Sequence, residues 1–147
     1  MKRLYPDQPV VGIGAVVLNE RKIILIERGN EPSKGKWTIP GGLVELGETP
    51  EQAVIREAKE EINLDVENPT LIDVVSNVDI DENGKIKYHY IIIDYFVHVK
   101  NGIAKASSDA ADLRWVPFDE VEKYNLTASF RLFFKNNRRK METASSY

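Results

Sequence analysis

Apolar positions change their period several times along the chain, and each change predicts an element. Val10 to Leu18 is an almost unbroken apolar run, which predicts a buried strand. Gly12 and Gly14 within it allow close backbone packing. Asn19-Glu20 predicts a turn, and Lys22 to Arg28 a second strand completing a hairpin. A polar stretch follows, then a short strand at Trp37, whose ring is expected to pack rather than to stack on a base. From Pro50 to Ile62 the pattern becomes helical, with Val54, Ile55, Ala58 and Ile62 as the buried stripe. Thr49 suits the N-cap, Pro50 the first helical position, and Gln52 completes a capping box. Asn63 suits a left-handed C-cap.

Beyond the helix, Leu64 to Val66 and Leu71 to Ile80 read as strands around a turn at Pro69. Asn83-Gly84 predicts a tight hairpin turn, and Lys85 to Lys100 a long central strand. On that strand Tyr88 and Tyr90 share one face and His89 takes the other. Gly102 to Leu113 reads as a loop, Arg114 to Pro117 as a short strand, and Asp119 to Lys123 as the start of a short helix. A last helix is expected over about 127–139, with Phe130, Phe133 and Phe134 inward. Arg138, Arg139 and Lys140 suit its C-terminal dipole, and Met141 to Tyr147 reads as frayed tail. Strands and helices in this order predict one α+β domain over residues 1–147, a mixed sheet between helices.

Composition narrows the function classes. The net charge of −3 gives no general attraction to nucleic acid or to an anionic membrane. The chain has no cysteine, which excludes disulfides, thiolate nucleophiles and Cys-ligated zinc. His89 and His98 stand apart from other ligand types, which argues against a zinc site. The N-terminal MKRLYPDQPV has no apolar signal core and no stretch approaches a membrane span, so a cytoplasmic location is the expectation.

The chemistry concentrates between Trp37 and Leu64. Glu57, Glu60 and Glu61 stand three and four residues apart and so neighbour each other on the helix surface. Carboxylates clustered beside a core-facing stripe repel one another unless a cation sits among them. Hard divalent ions favour such oxygens together with substrate phosphates. The bland alternative is a solvated acidic face softened by Arg56 and Lys59. Gly42 to Thr49, GLVELGET, nearly copies a phosphate-binding loop, but Glu48 stands where its lysine would be. A carboxylate there repels phosphate unless metal intervenes, so Glu48 reads as a metal ligand or a ligand-positioning group. Gly12-x-Gly14 lacks the third glycine of a dinucleotide fingerprint. Asp79-x-Asp81-x-Asn83-Gly84 lacks the Glu of a calcium loop, having Tyr90 at the twelfth position.

Gly42, Glu48, Arg56-Glu57 and Glu60-Glu61 read G-x5-E-x7-R-E-A-x-E-E-x-N-L. This resembles the signature box of the Nudix hydrolases, with Ala58 small for its bulky position and Asn63 in place of the last glycine. The resemblance implies an α/β/α sandwich and hydrolysis of a pyrophosphate bond with Mg²⁺ or Mn²⁺. It implies Glu57 and Glu61 as direct metal ligands and Glu60 as a ligand directly or through water. Arg56 would orient the carboxylates, and a carbonyl near Gly41-Gly42 could add a ligand. Arg28, Lys36, Gly42, Tyr88 and Tyr90 become candidates for substrate contact. Asp109 and Asp112 become candidate general bases. YPDQPVVGIGAVV, RGNEPSKGKWTIPGG, YHYIIIDYF and SSDAADLRWVP look most like the compact ADP-ribose pyrophosphatase-like branch. That branch often carries Gly-Asp-Asp-Ala where this chain has Ser107-Ser108-Asp109-Ala110. ADP-ribose is therefore the first expectation for substrate. A nucleoside triphosphate pyrophosphohydrolase for oxidised nucleotides comes second, and a nucleotide-sensing module without turnover third. The expected partner is a small nucleotide rather than nucleic acid or membrane, and the long apolar arm would suit a homodimer.

Overall fold

The structure, a computed structural model, describes residues 2–145. Two four-stranded sheets carry the fold. The first has the order β5-β1-β7-β6, made from β1 (Val10–Val16), β5 (Gly41–Leu43), β6 (Asp65–Ile80) and β7 (Ile86–Asn101). Its β1 and β7 run parallel, while the β1/β5 and β6/β7 pairs are antiparallel. The second joins β2 (Leu18–Asn19), β3 (Lys22–Arg28), β4 (Trp37–Thr38) and β8 (Ala110–Pro117), with β3 at its centre. The expected hairpin survives only as the short β2/β3 pair, because the chain passes from the first sheet into the second after Val16. The turn falls one residue later than expected, at Glu20-Arg21, both with positive φ.

Helices α1 (Pro50–Ile62) and α3 (Ala128–Ser145) sandwich the sheets, with short α2 (Phe118–Val121) following β8. Strand alternation decides which helix each side chain meets. Ile13, Ala15, Val17, Ile24 and Ile26 face α1, and Val16, Ile23 and Leu25 face α3. Both faces of β3 are therefore buried, which is why it reads as a continuous apolar run.

Local signals built α1 as expected. The Thr49 side chain accepts from Gln52 N, Gln52 returns the bond to Thr49 N, and Asn63 takes the left-handed C-cap. The buried stripe is Ala53, Val54, Ala58 and Ile62, while Ile55 is 39% exposed, so Ala53 replaces it on the core face. Small Ala53 and Ala58 let the helix sit close to the sheet. Thr49→Ala removes one cap acceptor and is expected to cost about 1 kcal/mol. A thermal melt should then show Tm lower by about 2–4 °C.

Three long-range effects overrode the local reading. Pro69 makes no turn: β6 continues through it, with Asn68-Pro69 bulged out of the ladder with β7. The strand to Pro117 begins at Ala110, so Asp112 lies in β8 opposite Glu27 rather than in a loop. Helix α3 runs to Ser145 because Met141 is fully buried against Phe133 and Phe134. Arg138 therefore lies within α3 and pairs with Glu142 at 2.6 Å. Of the tail expected to fray, Ser146 and Tyr147 lie outside the described residues. Among the described residues, no helix is long and apolar enough to cross a membrane.

Candidate active site

α1 and β5 lie side by side, and their contact forms the acidic site. A Cβ on Gly42 would collide with the Glu57 carboxylate, so the glycine is what lets that carboxylate lie against β5. The Gly41 N–H donates to Glu61 Oε1 at 3.2 Å. Glu57 is only 16% exposed in its side chain, whereas Glu60 is 59% exposed. Glu57 and Glu61 thus form the inner pair, and Glu60 stands at the rim.

Arg56 ties this site to the loop before it. Its Nε and Nη2 donate to the two oxygens of Glu48 at 2.7 and 2.9 Å. Its Nη1 donates to Glu57 at 2.8 Å and to Glu60 at 3.1 Å, and Nη2 also reaches the Leu43 carbonyl at 2.9 Å. The guanidinium and the Glu45 N–H hold the Glu48 carboxyl down at about 2. Both oxygens of Glu48 are thus engaged by Arg56.

The inner pair has the opposite electrostatics. Burial pushes Glu61 up to about 7, Gly41 and Arg28 oppose this, and the charges of Glu57 and Asp109 add to it. Glu57 is raised by burial against the pull of Arg56. Glu57 shares Arg56 with Glu48 and Glu60, while Glu61 accepts from the Gly41 N–H. No group of three acidic or histidine side chains is preassembled as a metal cage among the described residues. The donor set fits a hard divalent ion held by two carboxylates, with the remaining positions left to backbone, water and substrate oxygens.

Glu61, Gly41 and Gly42 also line a cavity of about 410 Å³. Arg28, Lys36, Tyr88 and Tyr90 line the same cavity. Tyr88 and Tyr90 lie nearly parallel on one face of β7, their ring centroids 6.2 Å apart. Arg28 Nε donates to the Pro32 carbonyl at 2.6 Å, which folds the basic loop onto the end of β3. Trp37 packs edge-on against Tyr124 in the core, as expected.

The two candidate bases separate. Asp109 sits in the turn before β8, its carbonyl against Gly29, and its charge reaches Glu61. Asp112 is held by Arg114 Nε at 3.1 Å and by the Leu113 N–H at 2.8 Å, and neither aspartate lines the cavity. The lining residues that sequence reasoning missed include Arg3, Asn77 and Asp79 of β6, Thr127 with the first turn of α3, and Asp94. Only Asp94 had a usable signal, a carboxylate inside the apolar run Ile91-Ile92-Ile93-Asp94-Tyr95-Phe96.

Comparison with known proteins agrees with this geometry. The NUDIX domain family matches residues 8–136. An ADP-ribose pyrophosphatase of Methanocaldococcus jannaschii is 39% identical over 121 residues, covering 82% of this chain and 69% of that one. The 8-oxo-dGTP diphosphatase of Proteus vulgaris is 54% identical over 43 residues, covering 29% of this chain and 38% of that one. Among solved structures, a MutT NUDIX hydrolase from Burkholderia pseudomallei aligns with a TM-score of 0.78 at 33% identity, over 88% of this chain and 98% of that one. With that domain spanning most of its length and the box residues gathered around Arg56 and β5, the chain belongs to the Nudix hydrolase family.

Proposed function

We propose that the protein hydrolyses the pyrophosphate bond of a nucleoside diphosphate linked to another group, with ADP-ribose as substrate and AMP and ribose 5-phosphate as products. The observation that carries this substrate is the 39% identity to an ADP-ribose pyrophosphatase over 82% of the chain. Family members generally use divalent ions. Mg²⁺ suits the all-oxygen donor set, with Mn²⁺ as an alternative. A bound ion would neutralise phosphate oxygens and lower the pKa of the attacking water.

Glu57 and Glu61 would hold that ion, and Glu60 at the rim would support it directly or through water. The Gly41-Gly42 backbone lies close enough to both carboxylates to complete the site. Arg56, with Glu48 behind it, fixes the direction in which Glu57 and Glu60 point. Arg28 and Lys36 receive the pyrophosphate charge at the cavity wall. Tyr88 and Tyr90 flank the remainder of the nucleotide. Of the two candidate bases, Asp109, whose charge reaches Glu61, is the better placed to accept the proton of water.

The match to an 8-oxo-dGTP diphosphatase favours a second reading, removal of pyrophosphate from an oxidised triphosphate. Product identification separates the two. With Mg²⁺ present, ADP-ribose should yield AMP and ribose 5-phosphate at a kcat/KM far above that for dGTP or its 8-oxo form. Monophosphate plus pyrophosphate as the faster reaction would overturn the ADP-ribose reading. Binding of ADP-ribose without turnover would instead point to a sensing module.

A further inference from the structure

One carboxyl at the cavity is left over by the fold. Asp94 is 3% exposed, lines the cavity, and neither a hydrogen bond nor an ion pair reaches its side chain. A Cβ on Gly14 would collide with Asp94 Oδ1 and with Ile39, so the carboxyl occupies the space that this glycine leaves on β1. The polar layer next to it is satisfied without it. Asp73, across the ladder on β6, accepts from Asn137 Nδ2 of α3 at 2.8 Å and from the Val74 N–H at 2.8 Å. Asn137 also donates to the Phe133 carbonyl at 3.0 Å. Burial and the charge of Asp73 push Asp94 up to about 7.

A second orphan lies on the same strand face. The Tyr90 hydroxyl is buried and has no partner, and Tyr90 lines the same cavity. Four strand positions, about 13 Å of backbone, separate the two, so a ligand that meets both is larger than a base alone. The cavity that Asp94 lines also has apolar walls at Ile39, Val75, Ile92 and Phe130, bare backbone at Gly12 and Gly14, and the hydroxyls of Thr127 and Ser129. A planar heterocycle buries its faces against such walls and presents polar groups only at its edge. Unpaired buried polar groups are costly and are kept where a ligand completes them.

We propose that Asp94 reads the base of the bound nucleotide, its carboxyl making a paired hydrogen bond to an edge where a ring nitrogen adjoins an exocyclic amine, as in adenine. The proposal rests on the nucleotide reading of the cavity. In its neutral form the carboxyl offers one O–H donor to the ring nitrogen and one C=O acceptor to the amine. The Tyr90 hydroxyl takes the sugar side of the same nucleoside.

The test uses AMP and UMP binding to the metal-free protein, followed by ADP-ribose and UDP-ribose hydrolysis with Mg²⁺. Wild type should bind AMP about 10- to 100-fold more tightly than UMP, the range expected of a good bidentate base contact. Asp94→Val should erase that preference and raise KM for ADP-ribose with little change in kcat. Asp94→Asn, which keeps one donor and one acceptor, should retain most of it. The melting temperature of Asp94→Val should match or exceed that of wild type, because an unpaired buried carboxyl is lost. Retained AMP preference in Asp94→Val overturns the proposal. So does an equal loss in Asp94→Asn, or a clear drop in the melting temperature of Asp94→Val, which would mark the carboxyl as structural. Base-selective binding without turnover would leave this proposal standing while the hydrolase reading fails.

Discussion

Glu61→Gln should lower kcat for the preferred nucleotide by about 10³-fold or more while leaving the fold intact. The side chains are isosteric, and Gln can still accept the Gly41 N–H that Glu61 now accepts at 3.2 Å. What disappears is one of two charges able to hold a divalent ion. Loss of the several kcal/mol that such an ion supplies translates into that factor. Melting curves give an independent readout. Wild type should gain stability on adding Mg²⁺, by about 2.7 kcal/mol at an ion concentration 100 times Kd. The variant should gain little.

The metal-free protein should also show a pH signature. The Glu61 carboxyl is raised in the fold from 4.5 to about 7, so folded protein binds this proton more tightly than unfolded chain does. Below about pH 4.5 both states are protonated and the group costs nothing. As pH rises toward 7 the unfolded state ionises first and the fold loses stability, by about 3 kcal/mol at most. Above 7 the cost is fully in place. Glu61→Gln removes this contribution, so without metal its Tm should fall less than that of wild type between pH 5 and 8. A metal-free variant melting below wild type at pH 8, with turnover preserved, would remove Glu61 from the metal site.

The acidic site was legible because its determinants are local. Thr49, Pro50, Gln52 and Asn63 fix the ends of α1 by hydrogen bonds within a few residues, and so fix the direction of every glutamate on it. Gly42 could be identified from the box alone, although its reason, room for the Glu57 carboxylate, appears only when β5 meets α1. What was not legible depends on partners distant in sequence. Pro69 reads as a turn until the ladder with β7 carries β6 past it. The chain after Arg139 has no capping signal, and only the burial of Met141 continues α3. Asp94 stands between the two: a carboxylate inside an apolar run marks it, but nothing local tells whether it is paired or faces a cavity.

Arg56→Ala should be the most damaging single change at the surface of the site. This guanidinium is the one group bonded to Glu48, Glu57 and Glu60 together, and Glu45 lies 3.7 Å away. Removing it leaves these carboxylates facing one another and leaves the Leu43 carbonyl without the Nη2 donor. Breaking a buried pair by deleting one partner costs about 3–5 kcal/mol. The Arg56 side chain is 22% exposed, so solvent screening brings the expected loss to about 2–3 kcal/mol. Turnover should fall about 10²-fold, through misdirection of Glu57 and Glu60 rather than loss of a substrate contact. The KM for substrate should therefore move less than kcat. Arg56→Lys tests the geometry separately from the charge: an ammonium cannot span both oxygens of Glu48 while reaching Glu57. It should recover part of the stability and little of the activity. Full activity in Arg56→Lys would show that charge alone suffices, and a KM rise with unchanged kcat in Arg56→Ala would place Arg56 on the substrate. Glu48→Gln should follow Arg56→Ala in direction with a smaller amplitude, since it removes the charge that anchors the guanidinium but leaves Glu57 and Glu60 paired.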